Sequence, residues 1–279
     1  MKTILFPTDF SKNSDEALKY ALEIASVFRS EIILFNSYPI PIYMADVPID
    51  METNSTLKTE SEERLKEISN KIKKTNPDIK ITCASNWGFA ADEIVTAASD
   101  LCADLIIMGT KGASGLKKFL MGSNTASVIS KAKCPVLAIP EGIQFSLITK
   151  IAFASDCMEE EFNALEKLNE WIEKFNSELT LIHIVDGILN HNFETTVVSR
   201  FKEKVNELYR IKKIEFENID APNFANGINE FLTEGSFDFL AMAHHSRNFV
   251  SHLLNPSHAT KLAYHLAVPL LVLPIDKIR

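Results

Sequence analysis

Two apolar runs at the two ends of the first half of the chain return in the second half, and no other feature restricts the fold as much. Lys2-Thr3-Ile4-Leu5-Phe6-Pro7-Thr8-Asp9 returns as Thr149-Lys150-Ile151-Ala152-Phe153-Ala154-Ser155-Asp156, an offset of 147. Cys134-Pro135-Val136-Leu137-Ala138-Ile139-Pro140 returns as Val268-Pro269-Leu270-Leu271-Val272-Leu273-Pro274, an offset of 134. Both ends of the first half recur, so the chain reads as a tandem duplication, with one domain over 1–141, a linker around 141–147 and a second domain over 148–279. Within the first copy, short apolar runs (2–7, 31–37, 79–84, 103–108 and 136–139) alternate with helical patterns (from Ser14 to Phe28, then 60–74, 90–98 and 123–131). Residues 38–56 carry three prolines and read as a loop or lid. Buried apolar strands alternating with helices predict a parallel sheet with right-handed crossovers in each copy, an α/β fold. In the second copy, 178–185 echoes the second strand and 237–242 the fourth.

Composition narrows the class without choosing a function. A length of 279 residues suits two domains, and 46% hydrophobic residues give each a core. The formal net charge of −8 argues against nonspecific nucleic-acid binding. No apolar run approaches the roughly 20 residues that span a bilayer, and the start MKTILFPTDFS turns polar too early for a secretory signal. The expected location is the cytoplasm, with neither membrane nor nucleic acid as a partner. Cys83, Cys102, Cys134 and Cys157 show no CxxC pairing and are expected to be reduced, mostly buried thiols.

Chemistry concentrates in Ile106–Pro140, which reads as strand, glycine-dotted loop, helix and strand. Between Gly109 and Lys133 there are five lysines (111, 117, 118, 131 and 133) and no acid. Glycines allow positive φ and close approach of backbone to a ligand, Ser123 is a suitable N-cap, and a helix start presents free N–H groups to anions. Three glycines alone would equally make a surface loop. The spacing is more specific: Gly109, two residues, Gly112, nine residues, Gly122, then Ser123. It is neither a Walker loop nor G-x-G-x-x-G. It matches in full the G-2x-G-9x-G-(S/T) motif of the universal stress protein family, which the chain resembles along essentially its whole length, with the full motif in residues 1–140.

That resemblance implies two doubly wound, five-stranded parallel sheets of order 3-2-1-4-5, similar to the adenine-nucleotide alpha hydrolase architecture. It implies an ATP-binding regulatory protein of the stress response, with ATP, ADP or AMP as ligand and Mg as a candidate companion. Asp9, with Pro7, Thr8 and the backbone around Ser37, would meet the adenine. Met108, Gly109, Lys111 and Gly112 would follow the sugar and phosphates, and Gly122, Ser123, Asn124 and Thr125 would hold the phosphate tail. On sequence alone Asp9 is equally a turn or capping residue. Relatives commonly pair through the last strand, so the resemblance also implies an intrachain pseudo-dimer through 136–139 and 270–273, with a homodimer as a further option and a protein partner the sequence does not identify.

The second copy departs at the motif itself. With the offset of 134, Gly109, Gly112, Gly122 and Ser123 become Ala243, Ser246, Pro256 and Ser257, and Lys111, Lys117 and Lys118 become His245, Ser251 and His252. A degenerate second site is expected, because Cβ atoms resist glycine conformations and proline has no N–H. The histidines at 244, 245, 252, 258 and 265 suggest a metal site only weakly, because no acid lies between Ala243 and Ala267 and there is no HExxH. They read as polar surface. Catalysis is expected to be weak at most. Phosphoryl transfer needs carboxylates placed for Mg²⁺, and near the loop the chain offers Asp9; neither HIGH, SGGxDS nor receiver-domain acids follow the first strand. A slow ATP-hydrolysing enzyme and an empty-site interaction scaffold are the rival readings.

Overall fold

The structure, a computed structural model, describes residues 1–39, 51–110, 122–185, 191–208, 214–221, 224–244 and 268–275. These fall into two compact units divided between Phe145 and Ser146. Residues 111–121, with Lys111, Gly112, Lys117 and Lys118, lie outside the described set. So do 40–50, most of the expected lid, and 245–267, with four of the five histidines and Ser246, Pro256 and Ser257.

In the first unit the chain runs β1 (Thr3–Pro7), α1 (Lys12–Phe28), β2 (Glu31–Tyr38), α2 (Met51–Thr75), β3 (Ile81–Trp87), α3 (Ala90–Asp100), β4 (Leu105–Gly109), α4 (Ser123–Lys131) and β5 (Val136–Ile139). Its strands are parallel and lie in the order β3-β2-β1-β4-β5. The central strands are covered on both faces, which is why they read as unbroken apolar runs. Ile4, Leu5, Phe6, Ile106 and Ile107 are fully buried, each side chain contributing about 1.5–3 kcal/mol of transfer free energy. Helix α1 starts where Ser11 Oγ accepts the Ser14 N–H at 3.2 Å, and it ends where Arg29 turns left-handed at φ 55°. Its buried stripe, Ala17, Leu18, Ala21, Ile24, Ala25 and Phe28, follows helical spacing.

The second unit runs β6 (Lys150–Ala154), a 3-10 turn over Glu159–Glu161, α5 (Phe162–Phe175), β7 (Glu178–Val185), α6 (His191–Leu208), β8 (Ile214–Asp220), α7 (Phe224–Gly235), β9 (Phe239–His244) and β10 (Leu270–Pro274). Its parallel order is β8-β7-β6-β9-β10. Counted within the unit, this is again 3-2-1-4-5. The register repeats as well. Ile4 lies opposite Leu105 and Ile151 opposite Phe239, while Ile106 faces Val136 and Leu240 faces Leu270. The offsets of 147 and 134 therefore hold residue for residue where β1, β4 and β5 pair and where β6, β9 and β10 pair.

Three expectations need correction. Residues 51–56 belong to α2 rather than to a loop; the stretch has little apolar period, and its helical state is favoured by continuity with the well-packed turns around Leu65 and Ile72. The third strand is Ile81–Trp87, not 79–84, because β3 pairs in register with β2 from Ile32 as far as Tyr38. All four cysteines are free, yet Cys83 and Cys102 are exposed, Cys134 is half-buried and Cys157 alone is buried. Cys102 sits in a left-handed turn at φ 50°, and Cys83 lies on an edge strand. Among the described residues no helix is long and apolar enough to cross a membrane.

Candidate functional site

In the first unit the chain leaves β1 toward β2 on one side and returns to β4 on the other. The connections after β1 and β4 therefore diverge, opening a crevice at the carboxyl ends of the strands. A cleft of about 320 Å³ lies there. Pro7, Thr8 and Asp9 reach it from the exit of β1, Ser37 from β2, Met108 and Gly109 from the end of β4, and Gly122, Ser123, Asn124 and Thr125 from the start of α4. The cleft thus gathers every described residue singled out for the first site; Lys111 and Gly112 lie outside the described residues. Three further lining residues were not anticipated: Ser14, Phe35 and Ile94. Phe35 and Ile94 carry only a core signal in sequence, and Ser14 reads as a helix opener.

The wall at β1 is held by a dense set of hydrogen bonds. Thr8 N–H donates to the Phe35 carbonyl at 2.8 Å, and Thr8 Oγ1 accepts from the Phe10 N–H at 3.0 Å and from Ser14 Oγ at 2.9 Å. Phe10 takes φ 61°, an uncommon conformation for a residue with a side chain. The Arg64 guanidinium covers its ring at 4.1 Å. Asp9 is exposed and accepts the Ser11 N–H at 3.1 Å. The turn-residue reading is therefore true of one carboxylate oxygen at least. Ser37 Oγ donates to the Gly88 carbonyl at 3.1 Å.

The wall at α4 differs in two ways from expectation. The N-cap is Gly122, not Ser123, with φ −64° and ψ 151°, and no side chain caps this helix. Ser123 is the first helical residue. Gly122 is thus in an extended conformation open to any residue, so positive φ is not what this glycine supplies. With no capping side chain, the amides of the first turn face the cleft as a partial positive charge. Gly122 N–H donates to the Thr110 carbonyl at 2.6 Å, and Thr125 Oγ1 donates to the Gly109 carbonyl at 3.0 Å. The Thr125 hydroxyl hydrogen is thereby committed to the scaffold. Of the lysines, Lys131 forms a surface ion pair with Asp92 at 2.7 Å rather than serving the cleft.

The same strand exit in the second unit is built from different groups. Thr8, Phe10, Ser14 and Asn36 correspond by the offset of 147 to Ser155, Cys157, Glu161 and His183. Ser155 N–H donates to the Ile182 carbonyl at 2.9 Å, Cys157 N–H to Ser155 Oγ at 2.9 Å, and Cys157 repeats the left-handed turn at φ 58°. Where Ser14 stands in the first unit, the Glu161 carboxylate is 2% exposed; it accepts a hydrogen bond from Ser155 Oγ and the Asp156 N–H at 2.9 Å. The donors at this exit are therefore taken by an internal anion. At the end of β9, Ala243 replaces Gly109 and is buried. Among the described residues no three His, Cys, Asp or Glu side chains are grouped to hold a metal.

Burial, reinforced by the Glu161 carboxylate, pushes the Cys157 thiol up from 9.0 to about 12. The folded state binds this proton more tightly than the unfolded chain. The stabilisation is complete below pH about 9 and is lost as pH rises toward 12. At pH 8 iodoacetamide is expected to alkylate Cys102 in the native protein and to reach Cys157 only after unfolding, read by peptide mass spectrometry. Rapid native labelling of Cys157 would contradict its placement.

The sequence profile of the universal stress protein family matches residues 1–140. Two universal stress proteins of Methanocaldococcus jannaschii are 37% identical over 147 residues and 32% identical over 152, spanning 50% of this chain and 81% and 94% of the relatives. The crystal structure of a universal stress protein from Archaeoglobus fulgidus is 23% identical and superposes with a TM-score of 0.72, covering 99% of this chain and 97% of that one. That likeness concerns the fold of the whole duplicated chain, while the sequence matches carry the kinship. With the glycine spacing, the repeated strand order and these matches in agreement, the chain belongs to the universal stress protein family.

Proposed function

We propose that the first unit binds an adenine nucleotide, with ATP the leading candidate, and that the protein is a nucleotide-dependent regulator of the stress response in the cytoplasm. The observation that carries this reading is the convergence of the uncapped first turn of α4 with the exits of β1, β2 and β4 around one cleft. Phosphates would lie against the amides of Ser123, Asn124 and Thr125, which favour anions. The base would lie between Pro7, Thr8, Asp9 and Ser37, with Phe35 and Ile94 as apolar walls, and Met108 and Gly109 would flank the sugar. Lys111 and Gly112 are assigned to the phosphates by the motif spacing, and Mg²⁺ would accompany a triphosphate.

Binding rather than turnover is the favoured reading. Asp9 is the one carboxylate among the described lining residues, whereas phosphoryl transfer needs several groups around metal and nucleophile. The second unit is assigned no nucleotide, because Glu161 already takes the donors at its strand exit. Calorimetric titration of the intact chain with ATP should give close to one nucleotide per chain, and native mass spectrometry of the purified protein should show bound adenine nucleotide. Two equivalent sites would refute the asymmetry, and no binding of ATP, ADP or AMP would refute the reading.

A further inference from the structure

A buried chain of polar side chains leads from the cleft wall to helix α2. Ser14 Oγ donates to Thr8 Oγ1 at 2.9 Å, Asn36 Nδ2 donates to the Thr8 carbonyl at 2.7 Å, and Ser61 Oγ donates to Asn36 Oδ1 at 2.7 Å. None of these four side chains is more than 7% exposed. Thr8 and Ser14 line the cleft; Asn36 and Ser61 are not among its lining residues. The two ends of the Asn36 amide are used in opposite senses, one donating and one accepting, and this fixes its orientation.

Packing alone does not call for a hydroxyl at 61. The buried face of α2 runs Ser61, Leu65, Ser69 and Ile72 at helical spacing, and an apolar residue at its first position would fill the same stripe. The Ser61 hydroxyl instead holds Asn36, and Asn36 holds the carbonyl that immediately precedes Asp9. Arg64, one turn beyond Ser61, adds a second contact to the same exit by covering the Phe10 ring at 4.1 Å. The side of α2 turned away from this exit is exposed and charged, with Glu60, Glu63, Lys66 and Glu67 in the open. A buried network in which every member is satisfied holds one geometry, and removing one member releases the rest.

We propose that Ser61 is a positioning residue for the ligand of the first cleft, acting through Asn36 on the Thr8 carbonyl, and that α2 thereby responds to whether the cleft is filled. The inference rests on the reading that this cleft takes an adenine nucleotide. If the Ser61 bond supports the bound geometry, the ligand must in turn support the Ser61 bond, because coupling of this kind is reciprocal.

Hydrogen exchange with and without saturating ATP tests it on the full chain. In the unaltered protein, ATP should slow exchange at the cleft (106–109 and 123–126) and also along 58–68 of α2. In Ser61→Ala, ATP affinity should fall about tenfold, the scale of one hydrogen bond's net worth, and at saturation the cleft should still be protected while the added protection of α2 is lost. Protection of the cleft without α2 in the unaltered chain would overturn the inference while leaving the nucleotide reading intact, and this result needs no variant. Unchanged affinity and unchanged α2 protection in Ser61→Ala would overturn it as well. Absence of any ATP effect at the cleft would remove both.

Discussion

Ser14→Glu is expected to close the first cleft without unfolding the chain. The second unit supplies the precedent: at the corresponding position Glu161 is accommodated at 2% exposure with Ser155 Oγ and the Asp156 N–H donating to it. Thr8 and Asp9 stand where Ser155 and Asp156 stand, so a glutamate at 14 has the same donors within reach. It would bring three more heavy atoms and a negative charge into a cleft that Ser14 now lines. Like charge in a poorly hydrated site disfavours a phosphate-bearing ligand. ATP affinity should fall by at least about a hundredfold, roughly 2.7 kcal/mol, with an unchanged circular dichroism spectrum. Ser14→Ala, which loses one hydrogen bond to Thr8 and adds no charge, should cost far less. A Ser14→Glu protein that binds ATP normally would show that the ligand lies elsewhere.

Gly122→Pro should have the second largest effect. The φ of −64° at Gly122 suits proline, so the helix start can survive, but the N–H that donates to the Thr110 carbonyl at 2.6 Å is removed. That bond ties together the two ends of the stretch 111–121, which contains Lys111 and Gly112. Without it the buried Thr110 carbonyl loses its donor and the first turn of α4 is no longer tied to the end of β4, at about 1–3 kcal/mol. A loss of at least about thirtyfold in ATP affinity, roughly 2 kcal/mol, is expected by calorimetry. Gly122→Ala keeps the N–H and an accessible φ, so it should fold and bind better than the proline variant. Equal affinities for the two would mean that the Thr110 bond plays no part.

Much of this architecture was legible because the chain carries an internal control. The run beginning at Lys2 and its copy beginning at Thr149 anticipated both first strands, and the offsets survive in the pairing of Ile4 with Leu105 and of Ile151 with Phe239. Glycine spacing pointed to Gly109 and Gly122, and both line the cleft. Other features left no local trace. Ser123 reads as the cap because serine is a good one, yet it is the first helical residue and the cap position falls on Gly122, which has no side chain to fill it. Phe35 and Ile94 look like any core residue in sequence, and only the position of the switch point turns them toward a cavity. Glu161 sits in the acidic run Glu159-Glu160-Glu161, which reads as solvated surface; it is buried because the exit of β6 presents donors to it. The Ser61–Asn36 contact spans 25 residues and depends on the packing of α2 against β2, which no local pattern encodes.

The most direct test is a crystal structure of the chain grown with a non-hydrolysable ATP analogue. One analogue per chain is expected, with phosphate oxygens within hydrogen-bond distance of the amides of Ser123–Thr125, the base against Pro7–Asp9, and the Glu161 carboxylate still bonded at the exit of β6. Phosphates bound away from α4, or an equally occupied second unit with Glu161 displaced, would contradict it.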